Sequence, residues 1–229
     1  MNLQKASGVI SNLQVVNTKQ NILYGPQMEE ASGISAVVFA LAGMSGAAVQ
    51  TSMNADGGAD DVDMYSFEIA GVKYAGCTRG ISLEDGDYVE LVYEERPEGN
   101  ETIAVRRPAT RSIWTYPYMS RGSTAGISHC IHLWILVSLG GCTLILLIGL
   151  GYLTIHSVWL GVIVSFAAVA VAVSWMLPRL FRFSRAADEV FAVFGYPNPK
   201  MVDLHKTSKA YRKAHDITWS AKNNFELWY

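Results

Sequence analysis

Two histidines three residues apart, His129 and His132, come closest to a metal-ligand pair in this sequence. On a helix that spacing places both imidazoles on one face, and a tetrahedral site then needs further ligands. None follows nearby, so no metal centre is expected. The stretch "GMSGA" at 43–47 approaches the GxSxG turn that presents a nucleophilic serine. Ala47 stands where the second glycine belongs, and the flanks do not read as strand, turn and helix. The acids at 84–90 and 94–98 fit a polar strand rim better than a general acid–base pair. No Walker A, GxGxxG or HExxH pattern occurs. Enzymatic activity is therefore disfavoured, and no catalytic residue, cofactor or metal is expected.

Any function must then come from how the chain is organised. Only 17% of its 229 residues are charged, against about 25% in an average globular protein. Charge is unevenly spread. Residues 56–100 hold twelve acids and three bases, whereas residues 179–229 are net basic. Between Gly122 and Pro178 there is no Asp, Glu, Lys or Arg. Cys77, Cys130 and Cys142 form no CxxC and no even disulfide framework. The start, "MNLQKASGVI", reads as no secretory signal peptide.

The uncharged block predicts two transmembrane helices at 133–155 and 158–177, joined as a hairpin. A bilayer core about 30 Å thick needs roughly 20 apolar residues in helix. The tip, including Thr154, His156 and Ser157, carries no fixed charge, so moving it through lipid is inexpensive. Gly140, Gly141, Gly149 and Gly151, then Gly161, Ser165, Ala168 and Ala172, are small residues suited to packing within the hairpin or between copies. Trp134, Trp159 and Trp175, with Arg179 and Arg182, are candidate interfacial anchors. Arginines before and after the hairpin predict that both its ends stay cytoplasmic if the host inserts it.

Period-two patterning outside that block predicts a small acidic β-barrel, OB-like or SH3-like, from residues 7–27 and 62–108. Strands are expected at Val9–Val16, around an Ala70-Gly71 turn within Tyr65–Tyr74, at Tyr88–Glu94 and at Thr102–Val105. Residues 28–61 form an insertion, and its Ala/Gly/Ser-rich part at 31–55 has three readings: a soluble helical excursion, a segment that enters the membrane only on assembly, or a flexible loop. The barrel's acidity argues against a nucleic-acid partner, which needs a basic surface. The tail, 179–229, predicts helices at Ser184–Phe194, stopped by "GYPNP", and from Met201 to about His215. Lys206, Lys209, Arg212 and Lys213 give the second helix a basic side, either solvated or laid on anionic headgroups. The terminal "NNFELWY" reads as a short docking or interfacial segment. The division is a β module at 1–121, a hairpin at 133–177 and a basic tail at 179–229, an α+β membrane protein.

Three stretches, "SGVISNLQVVN", "AVRRPATRSIWTYPYMSRG" before the hairpin and "FAVFGYPNPKMVDL" in the tail, carry a resemblance over nearly the whole chain. The chain resembles small enterobacterial type VI secretion system effectors of the ion-selective, pore-forming kind. That resemblance implies an antibacterial toxin, loaded into the secretion tube protein and neutralised in its producer by a cognate immunity protein. It would act in the target cell's inner membrane after leaving the producer's cytoplasm. It carries over no site residue. Two helices enclose no aqueous channel, so a pore requires a homo-oligomer in the lipid bilayer, and the acidic 56–98 block at its mouth would favour cations. A resident inner-membrane scaffold displaying the barrel is the alternative, and a membrane immunity protein the second.

Overall fold

The structure, a computed structural model, describes residues 2–20, 60–152, 163, 166–167, 178, 181–216 and 227–229. Seven strands make one sheet: β1 (Leu3–Gln20), β2 (Asp60–Ile69), β3 (Val72–Thr78), β4 (Tyr88–Arg96), β5 (Gly99–Arg107), β6 (Ser112–Thr115) and β7 (Leu227–Trp228). The first five close on themselves, with β1 between β2 and β4 and a parallel β3–β5 pairing completing the ring. This is the expected β-barrel. Its long first strand makes closure possible. Residues 3–9 pair with β4, residues 10–20 pair with β2, and a bulge between Ser11 and Gln14 bends the strand where it changes partner.

The β2–β3 hairpin turns at Ala70-Gly71, both at positive φ (51° and 80°). That geometry belongs to the primed two-residue turns that match strand twist. Gln20 pairs with Asp60 at the end of the β1–β2 ladder, so the inserted segment leaves the barrel between those two residues. Most of residues 28–61, with the three readings of 31–55, lies outside the described residues.

Among the described residues three continuous α-helices follow, α1 (Ser123–Tyr152), α2 (residues 181–193) and α3 (Leu204–Ala214). On α2, Phe183, Ala187, Val190, Phe191 and Phe194 are buried, the three-and-four spacing of an amphipathic helix. They pack with Val92, Ile103, Ile113 and Met119 of the barrel and its exit, and with Leu204 and Leu227. Tail and barrel therefore share a hydrophobic core. A second cluster, including Phe67, Leu91, Val105 and Trp114, is built by the β strands and the β3–β4 connection. The docking segment expected at the C-terminus is β7, which pairs Leu227 with Ile113 and Trp228 with Ser112. Ser208 on α3 holds it, its hydroxyl accepting from the Trp228 amide at 2.8 Å.

The apolar block differs from expectation at its start. The first span was expected to begin at Leu133, but α1 begins at Ser123 and takes His129 and His132 into its second and third turns. Its entry is fixed from far away in sequence, because the Ser123 amide donates to Asp188 Oδ1 on α2 at 2.8 Å. Among the described residues one helix, over Ser123–Gly141, is long and apolar enough to cross a membrane. The expected two-helix hairpin is therefore not supported by the described residues, which hold one such helix. Most of the second span, 158–177, lies outside the described residues, as does the tip.

Candidate functional site

Two features of the fold stand apart from ordinary core and surface. One is the outer face of α1. Only 6% of the window Ser123–Gly141 is buried. Ile131, Leu133, Ile135, Leu136, Val137 and Leu139 are each at least half exposed. A core helix of a soluble protein passes the same test of length and composition while mostly buried. Here most of the apolar side chains between residues 131 and 139 face outward, Ser138 being buried and Trp134 packed on Phe166.

The other is an open cleft of about 760 Å³ between the barrel exit and α3. Arg79, at the end of β3, forms an ion pair with Asp60 and donates from Nη2 to the Tyr118 hydroxyl at 3.0 Å. Tyr118 donates in turn to Asp60 Oδ2 at 2.7 Å. The Arg79 guanidinium also lies 4.8 Å from the Tyr118 ring centroid. Burial, and then the Asp60 acceptor, push the Tyr118 phenol above its ordinary pKa, so it stays a donor. Opposite, α3 contributes His205, Lys209, Arg212 and Lys213. Asp203 starts that helix by accepting from the amides of His205 and Lys206. An Arg121–Asp203 bridge then straps the chain leading into α1 to the start of α3.

Ser120 Oγ lies 2.8 Å from His205 Nε2 across this strap. Crowding by surrounding protein, with repulsion from Arg121 second, lowers the His205 pKa, so the ring stays neutral and able to accept a proton. Sequence spacing gave no hint of this pair. As a nucleophile and base it lacks an orienting acid, since among the described residues no carboxylate is hydrogen-bonded to the His205 ring. The other reactive side chain, Cys77, is buried, and burial pushes its thiol up to about 12.

A second cavity of about 180 Å³ shares Arg79, Tyr118, Ser120 and His205 with the first. It continues along the root of α1, past Ile127, His129 and Cys130, to Phe181 and Ser184 of α2. His129 therefore borders a cavity, whereas His132 Nδ1 lies 2.6 Å from the Ser128 carbonyl. Among the described residues no group of three His, Cys, Asp or Glu side chains is placed to hold a metal.

The residues expected to pack the hairpin are placed in part. Gly140 and Gly141 have nothing within 4 Å of where a Cβ would sit. Gly149 lies farther along α1. The close contact falls instead at Gly126, where a Cβ would meet Ser184 Oγ at 2.7 Å. Trp134 packs edge-on against Phe166, ring centroids 4.7 Å apart, roughly 17 Å along α1 from its start. Arg182 is exposed on α2. Gly161, Ser165, Ala168, Ala172, Thr154, His156, Ser157, Trp159, Trp175 and Arg179 lie outside the described residues.

The acidic block has a structural occupation of its own. Glu90 pairs with Lys5 at 2.8 Å and Arg106 at 2.6 Å, Asp87 with Arg107 at 2.9 Å, and buried Glu101 with Arg96 at 2.7 Å. Comparison with known proteins found no matching family, no matching curated protein and no matching solved structure.

Proposed function

We propose that this chain is a membrane-inserting, pore-forming antibacterial effector of the type VI secretion kind. In this reading a two-helix hairpin, α1 and the apolar run at 158–177, enters the target's inner membrane from a head of barrel and tail. The observation that carries it is the apolar, outward-facing surface of α1, which the rest of the described chain leaves uncovered. Such a surface in water favours association or transfer into lipid by about 25 cal/mol per Å² removed from water. The Trp134–Phe166 contact supports an adjacent second helix. The pore needs several copies, and the open flanks of Gly140 and Gly141 offer close approach between them. The five-stranded closure, in cyclic order β1-β2-β3-β5-β4, supports an OB-like reading of the barrel. Cation preference rests on the exposed carboxylates Asp61, Glu84, Glu95 and Glu98, the other acids above being engaged in the barrel.

The test is conductance in a planar bilayer. Discrete steps with a reversal potential displaced in a KCl gradient support the pore and report its selectivity; a silent bilayer with the protein inserted counts against it. A second reading has its own observation. The root of α1 is tied to α2 through Ser123–Asp188 and Gly126–Ser184, as a permanent two-helix anchor displaying the barrel would require. Directing the chain to the periplasm separates the two, because a pore collapses the membrane potential and an anchor leaves it intact.

A further inference from the structure

We infer that the two joined cavities form one binding site for an anionic phospholipid, with the headgroup phosphate in the basic cleft and the adjoining acyl chain along α1. The inference rests on the membrane reading of α1 and adds a ligand to it. Three observations carry it. First, the cleft walls from α3 and β3 present Lys209 and Lys213, with Arg79 beside its partner Asp60, while Asp216 is the one acid on the cleft's described lining. Lysine and arginine bind phosphate as point charge and fork respectively. On the opposite wall Tyr118 already donates to Asp60 and Ser120 lies against His205, so the charge facing the cleft comes chiefly from α3. Second, at about 760 Å³ the cleft is in the range of small-molecule sites and far larger than a lone phosphate ion needs.

Third, the cleft adjoins a smaller cavity of mixed polar and apolar lining at the root of α1. The smaller cavity shares four residues with it and adds Ile127, Cys130 and Phe181 beside Arg121, His129 and Ser184. Those side chains sit at the start of the helix that the lipid would surround. A free phosphate or nucleotide would use the basic end and leave the apolar end unfilled. A phospholipid can meet both, its phosphate at the lysines of α3 and the first carbons of its acyl chain at Ile127 and Phe181. Bound there, it would set the depth at which the head rests on the bilayer.

The experiment is vesicle flotation of the full chain on phosphatidylcholine vesicles with and without phosphatidylglycerol, repeated with inorganic phosphate added. The site predicts roughly tenfold tighter association when phosphatidylglycerol is present, with no competition from millimolar phosphate. Replacing Lys209→Gln and Lys213→Gln, both exposed, removes most of that preference and leaves binding to phosphatidylcholine unchanged. Arg111→Gln with Lys200→Gln removes the same charge outside the cleft and leaves the preference largely intact. Equal loss in both double variants reduces the effect to general surface charge and overturns the site. Loss of the preference on adding phosphate also overturns it, in favour of a free-phosphate ligand. Failure to float on either vesicle refutes the membrane reading itself, whereas equal flotation on both refutes only the lipid site.

Discussion

The amide of Ser123 and the carboxylate of Asp188 meet at 2.8 Å, joining the first residue of the apolar helix to the middle of the tail helix. The first amides of a helix have no partner within it, and a carboxylate placed there satisfies one and complements the helix dipole. Asp188→Ala is expected to lower stability by about 0.5–2 kcal/mol, with Asp188→Asn between it and wild type. Urea unfolding of the full chain in detergent micelles checks this. An alanine variant as stable as wild type would show that the contact does not hold the root.

Close approach of α1 and α2 is tested at Gly126 and Ser184. Gly126→Ala forces Ser184 Oγ out of a 2.7 Å contact, but Ser184 Cβ lies at 3.6 Å, an ordinary distance. The alanine should destabilise by about 1–3 kcal/mol alone, and Ser184→Ala should restore most of the loss. A double-mutant cycle measures that coupling. Simple additivity would mean that the helices do not cross there.

Barrel closure has its own tight point. A Cβ on Gly76 would lie 2.7 Å from the Thr102 carbonyl across the β3–β5 pairing, and 2.5 Å from the Tyr65 hydroxyl. Gly76→Ala should cost about 1–3 kcal/mol or prevent folding. Amide exchange in β3 and β5 should then rise more than in β4. Uniform protection like that of wild type would contradict a closed ring at this position.

Glu90 sets a pH dependence. Its hydrogen bond from Lys5, with Arg106 adding to it, holds its carboxyl below the usual glutamate pKa against the opposing effect of burial. Since the folded state lowers that pKa, the unfolded chain takes up the proton first as pH falls. The stabilisation is full above the ordinary glutamate value, about 4.3, and is lost as pH drops through the folded one. Glu90→Gln should flatten stability against pH below about pH 5. An unchanged profile in the variant would remove Glu90 as the cause.

Local pattern made parts of this fold legible. The Ala70-Gly71 turn between alternating runs marked β2 and β3, and the three-and-four spacing of Val190, Phe191 and Phe194 marked α2. The insertion was visible as an uncharged run between strands. What escaped depends on distant partners. β6 and β7 are four and two residues long, too short for a period; β6 is made by pairing with β5 and β7 by pairing with β6. The start of α1 was hidden because His129 and His132 look like a flank, whereas Asp188 decides it from α2. The cleft was half legible. Lys206, Lys209, Arg212 and Lys213 stood out as a basic helix side, but Arg79, Ser120 and Tyr118 reach it only through the closure of the barrel.

The central claim is that α1 is solvated by lipid. Nitroxide labels at Leu136 and Leu139, 66% and 64% exposed, in a chain whose Cys77, Cys130 and Cys142 are replaced by alanine, test it in liposomes. High accessibility to oxygen with low accessibility to a water-soluble nickel chelate at both sites is the predicted result. Chelate access equal to that of a label on the barrel surface, in protein confirmed to be folded and vesicle-bound, would contradict it.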